Sequence, residues 1–157
     1  MIRLVPVLLL ALTACSTGQP SGPKFEDADP CALLASGDAG QLSGSPTRTD
    51  RSCDFPFDSL TVRLTLQSAK YADESQKLLS DGGYGGVVDG GQVGESDDRP
   101  VTTRCVDSSS EVTCDAVVEV RDGQLIGLKV LQRSHDLNVV GQVTQGLAAK
   151  AFGRLPK

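Results

Sequence analysis

The sequence predicts an α+β fold, an antiparallel β-sheet with helices packed on one face, and three observations lead there. Leu60-Thr61-Val62-Arg63-Leu64-Thr65-Leu66-Gln67 alternates apolar and polar residues without a break, the pattern of a strand with one buried and one wet face. Asp122-Gly123 separates two β-rich runs and reads as a hairpin turn, type I′ by composition. Val140, Val143, Leu147, Ala151 and Leu155 recur at three- and four-residue steps, the stripe of an amphipathic helix. Strands in succession closed by a long helix make a layered α+β domain.

The chain opens with Arg3, an apolar run from Leu4 to Leu12, and the small residues Thr13-Ala14. That order is a secretory signal. The run is far shorter than the ~20 apolar residues of a spanning helix, and Pro6 would strain a helix interior. Leu12-Thr13-Ala14-Cys15 resembles a bacterial lipobox. The resemblance implies cleavage before Cys15, a thioether-linked diacylglycerol on its sulfur and usually an acylated amine; the competing reading is an ordinary signal peptide with a chance cysteine. One acyl chain anchors marginally and two or more anchor stably. The expected organisation is a lipoprotein signal peptide over 1–14, a lipidated flexible tether over 15–24 and a single α+β domain over 25–157. The expected location is the outer face of the cell membrane, with the lipid as the only membrane contact. Ser16 to Lys24 is a Ser/Gly/Pro linker with no apolar residue, and nine residues of such coil span roughly 15–18 Å.

Cleavage leaves 143 of the 157 residues, enough for one core. Without Arg3, 14 basic residues stand against 20 acidic ones, a net charge of −6. That balance argues against a nucleic-acid partner and against electrostatic docking on anionic lipid. There is no Trp, so Val, Leu, Ile and Ala must build the core. Small cores of this kind are often stapled.

Asp29-Pro30 starts a short helix, with Asp29 as N-cap and Pro30 at the first helical position, and Gly37 ends it. Ser36 can cap a second turn over 38–42. Arg51 to Phe57 is the hairpin partner of the 60–67 strand, and Pro56 places it at an edge or bulge. Asp73-Glu74-Ser75-Gln76 has the form of a capping box, with Asp in place of Ser or Thr, and opens a helix that Gly82 stops. Gly82 to Asp98 is a glycine-rich acidic loop with a short strand at Val87-Val88. Val101–Val106, Cys114–Val120 and Leu125–Leu131 are strands, and the last two form the core hairpin. The final helix runs from about Val139 to Arg154, capped by Asp136 or Asn138, and Pro156 marks its exit.

Four cysteines remain after Cys15: Cys31, Cys53, Cys105 and Cys114. An even number in an exported chain reads as two disulfides, for which three pairings exist. A hairpin turning at Ser109-Ser110 sets Cys105 opposite Cys114, within disulfide reach. Cys31 then pairs with Cys53 and ties the first helix to the first strand. No C-x-x-C spacing occurs and the single histidine, His135, is far along the chain from all four, so no metal or other cofactor is expected.

Three short motifs carry a family resemblance: Asp29-Pro30-Cys31-Ala32-Leu33-Leu34, Cys53-Asp54-Phe55, and the closing Ala148-Ala149-Lys150-Ala151 with Leu155-Pro156. With the lipobox, the chain resembles the actinobacterial lipoproteins grouped as domain of unknown function 3558, over most of 25–157. That family often carries Trp where this chain has Phe55. The resemblance implies a cell-envelope location and no established activity, so it transfers no functional residue.

Candidate chemistry is sparse. Ser134-His135-Asp136 cannot form a triad from consecutive strand positions, which alternate faces, and no G-x-S-x-G elbow is present. Gly82 to Val87 departs from a calcium-binding repeat at Val87, and 95–98 lacks the spaced ligands of an EF-hand. Long loops are often functional, and Tyr84, an aromatic among glycines, is the candidate contact residue. The expected function is a non-enzymatic binding or accessory module of the envelope, its partner protein or small molecule unspecified. The alternatives are an envelope hydrolase using His135 and a carrier whose glycine loop covers an apolar ligand.

Overall fold

The computed structural model describes residues 24–88, 98–133 and 136–156. Seven strands form one antiparallel sheet: β1 (Thr47–Thr49), β2 (Ser52–Pro56), β3 (Leu60–Gln67), β4 (Tyr84–Val88), β5 (Arg99–Asp107), β6 (Val112–Arg121) and β7 (Gln124–Gln132). Their spatial order is β1-β2-β3-β7-β6-β5-β4. Helix α1 (Tyr71–Ser80) lies on the crossover from β3 to β4, and α2 (Leu137–Gly153) follows β7. Two 3₁₀ turns, Phe25–Asp27 and Pro30–Ala32, precede the sheet.

Directly paired residues share a face, so register decides which side chains meet. Phe55 opposes Val62, Val62 opposes Val130, and Val130 opposes Cys114. One step along, Cys53, Leu64, Leu128 and Ala116 align in the same way. All of these are buried; α2 closes over the β4 to β7 side with Val140, Thr144, Leu147, Ala148 and Ala151, and the Pro30–Ala32 turn lies against β2 and β3. Asp136 caps α2, its carboxylate accepting from the backbone N–H of Asn138 at 3.0 Å and of Val139 at 3.1 Å.

The chain therefore adopts the expected α+β class, with an antiparallel sheet and two disulfides. Its long helix and the N-terminal 3₁₀ turns share one face. The short α1 lies against the other: Thr102, next to the core-facing Val101, has its hydroxyl 2.7 Å from both Tyr71 Oη and Ser75 Oγ of α1. A glycine closes α1 against the sheet, because a Cβ on Gly83 would come 2.6 Å from the Leu78 carbonyl oxygen.

Several local expectations are corrected. β1 covers β2 as far as Asp54, so β2 is not the edge strand; Pro56 lies past the end of β1, and its carbonyl accepts from the Ser43 N–H at 2.8 Å. Helix α1 begins at Tyr71 with Lys70 at its cap position and no side-chain cap. Asp73 and Glu74 fall in the first turn, where they favour the positive end of the helix dipole, and no capping box forms. Asp29 does accept from the Cys31 N–H at 3.0 Å, but over a single 3₁₀ turn. Gly123 has φ of 73°, whereas Asp122 is not left-handed, so the turn is not type I′; a bulge between Glu119 and Arg121 adjusts the register beside it. Tyr84–Val88 is a full strand, which shortens the loop expected over 82–98.

The two ends of the domain are clasped by charge. Asp38, its side chain 7% exposed, bonds both Nη atoms of Arg154, with Nη2 at 2.9 Å, and accepts from the Ala35 N–H at 2.7 Å. Arg154 Nη1 also donates to the Leu33 carbonyl at 3.1 Å. The Arg154 hydrogen bond holds the Asp38 carboxyl below its ordinary value, against the opposing effect of its burial. A depressed carboxyl contributes stability that is full above the unfolded value of ~3.9 and is lost as pH falls through the folded one. Asp38→Asn is expected to cost about 1.5–3 kcal/mol at neutral pH, on the scale of hydrogen bonds to charged groups. Urea unfolding at pH 7 and pH 3 checks it: the gap between wild type and Asp38→Asn narrows in acid.

Candidate functional site

The face of the sheet opposite α2 is half open, and the same register that builds the core assembles a row of charge across it. Asp54 on β2 opposes Arg63 on β3, Arg63 opposes Lys129 on β7, Lys129 opposes Asp115 on β6, and Asp115 opposes Arg104 on β5. These are the wet positions of strands whose alternate residues are core, so the row follows from period two.

The members of the row are not equivalent. Arg63 grips Asp54 in a fork, Nε to Oδ1 at 2.7 Å and Nη2 to Oδ2 at 2.8 Å. That hydrogen bonding lowers the Asp54 carboxyl and raises the Arg63 guanidinium from their ordinary values. Arg104 Nε donates to the Asp81 carbonyl at 3.2 Å. Lys129 has no ion-pair partner among the described residues, although Asp115 and Arg63 flank it.

Two hollows meet at this row. One, of about 260 Å³, lies between α1 and the sheet; Glu74, Lys77 and Leu78 form its wall, with Thr65, Gln67 and Gly127 across from them. The other, of about 410 Å³, is bounded by Asp54, Thr61 and Leu131. Arg63 and Lys129 line both, so the pair stands where the two join. Gly127 lets the Gln67 amide lie across the floor: a Cβ there would come 2.7 Å from Gln67 Nε2. Lys77 is paired with Glu74 at 2.6 Å. The trough offers ammonium and guanidinium donors, carboxylate acceptors and an amide, a set suited to holding a polar group.

The sequence-predicted residues lie elsewhere. Cys31 and Cys53 are bonded, with Cα atoms 5.2 Å apart, as are Cys105 and Cys114 at 4.1 Å, and both pairs are on the core face. Tyr84 opposes Thr103 at the β4 edge, 44% exposed. Its hydroxyl covers Gly141 of α2, where a Cβ would collide with it. Tyr84 is thus on the α2 side and does not share the trough. Cys15, His135 and residues 89–97 lie outside the described residues. The described residues include no group of three or more His, Cys, Asp or Glu able to hold a metal, and no helix among them is long and apolar enough to cross a membrane. Sequence reasoning missed Arg63, Lys129 and Gly127; their only signal was the polar phase of two strands.

No family model, curated protein or solved structure matches the chain.

Proposed function

We propose that the protein is a cell-envelope lipoprotein, held at the outer face of the cell membrane by lipid on Cys15, and that it serves as a non-enzymatic binding or accessory module. The observation that carries the binding role is the asymmetry of the sheet. One face is closed by α2 and the 3₁₀ turns, while the other keeps an open trough beside α1, with Arg63, Glu74, Lys77, Asp115 and Lys129 along it. Ligands are held in concave recesses with a few placed polar groups, and the trough has that form. Two disulfides support an oxidising, extracytoplasmic setting. The order of Arg3, apolar run, Leu12-Thr13-Ala14 and Cys15 supports the anchor. Membership of the lipoproteins grouped as domain of unknown function 3558 is part of the same reading, on the motifs around Cys31, Cys53 and Ala148.

Metabolic labelling with a fatty acid tests the anchor. Wild type takes up label and sediments with membranes. Cys15→Ala loses the label and is released or poorly processed. Label retained on Cys15→Ala at the wild-type level refutes the anchor.

A further inference from the structure

We propose that Arg63 and Lys129 form a binding site for an oxyanion, the phosphate or carboxylate group of a ligand held in the trough. The inference rests on the reading of the open sheet face as the binding surface and gives that surface a chemistry.

Arg63 and Lys129 are directly opposed on neighbouring antiparallel strands. Like charges in that position repel and weaken the pairing. The outer neighbours relieve this only in part. Asp54 occupies Nε and Nη2 of Arg63 and leaves Nη1 without a hydrogen bond to the described residues. Asp115 stands opposite Lys129 without forming an ion pair. The pair is set in a domain whose mature charge is −6, so two adjoining cations are not what composition alone would place there. Both line the junction of the two hollows, and Gly127, two residues from Lys129 on the same face, makes room for the Gln67 amide beside them. An oxyanion seated there would accept charge-assisted hydrogen bonds from both residues and offset their repulsion.

The test uses the full lipidated chain in non-ionic detergent, with backbone amide resonances followed at constant ionic strength. Inorganic phosphate and acetate are the probes, titrated separately. Saturable shifts at Thr65, Gly127 and Lys129 with either probe are expected, and the probe that binds distinguishes a phosphorylated from a carboxylated ligand. Lys129→Gln is expected to weaken binding about tenfold, the loss of one charge-assisted contact. Because Lys129 is exposed and makes no ion pair, that variant keeps the fold. Arg63→Gln is expected to weaken binding similarly, although it also releases Asp54. Absence of saturable shifts with both probes, or binding unchanged in Lys129→Gln, overturns the site. Shifts confined to another part of the open face overturn the oxyanion assignment and leave that face as the binding surface. Shifts confined to the α2 side overturn both.

Discussion

Phe55→Ala is expected to destabilise the domain by about 3–5 kcal/mol, the range for removing a buried aromatic from a packed core. Phe55 is fully buried and opposes Val62 in the sheet, with its ring 6.3 Å from that of Phe57 and nearly parallel to it. The chain has no Trp and only four Phe, so few other side chains bring comparable area to this core. Domains are stable by only ~5–15 kcal/mol, so the loss would be a large share of the total. Urea unfolding followed by circular dichroism checks it, with Phe55→Leu as the control that keeps most of the volume. A loss below ~1 kcal/mol in Phe55→Ala would mean that the β2 side of the core is not packed as described.

Removing the Cys31–Cys53 bond by alanine at both positions is expected to cost about 3 kcal/mol on the chain-entropy estimate for a loop of this size. The two residues are 22 apart in sequence, and Cys53 is fully buried. The bond holds a three-residue 3₁₀ turn, too short to persist unaided, against β2. The Cys105–Cys114 bond joins facing residues only 9 apart, so its removal should cost less. Thermal unfolding of the two double variants gives the comparison, and limited proteolysis locates the change. Cleavage of the Cys31/Cys53 variant is expected first around Ala28–Gly37. Equal melting temperatures for that variant and wild type would contradict the role given to the bond.

What could be read from the sequence was what depends on near neighbours. β3 was legible to the residue because Leu60 to Gln67 keeps strict alternation. The facing of Cys105 and Cys114 followed from one hairpin, and α2 from its apolar stripe. β4 was mostly missed: its Tyr-Gly-Gly-Val-Val has no alternation, and it becomes a strand by pairing with β5. Asp73 has the chemistry of a cap but is used in the first turn, so the cap expected there falls three residues past the observed one, Lys70. The trough was out of reach for a different reason. Arg63 and Lys129 meet only because β3 pairs with β7, a contact between strands far apart in sequence. The hairpin alone fixes Lys129 opposite Asp115, and nothing local places Arg63 beside them.

The most direct measurement is the mass of the N-terminal peptide of the mature protein, isolated from membranes. The expected peptide begins at Cys15 and carries a diacylglycerol on its sulfur, with or without an acylated amine. A mature protein that begins at any other residue, or at an unmodified Cys15, would contradict it.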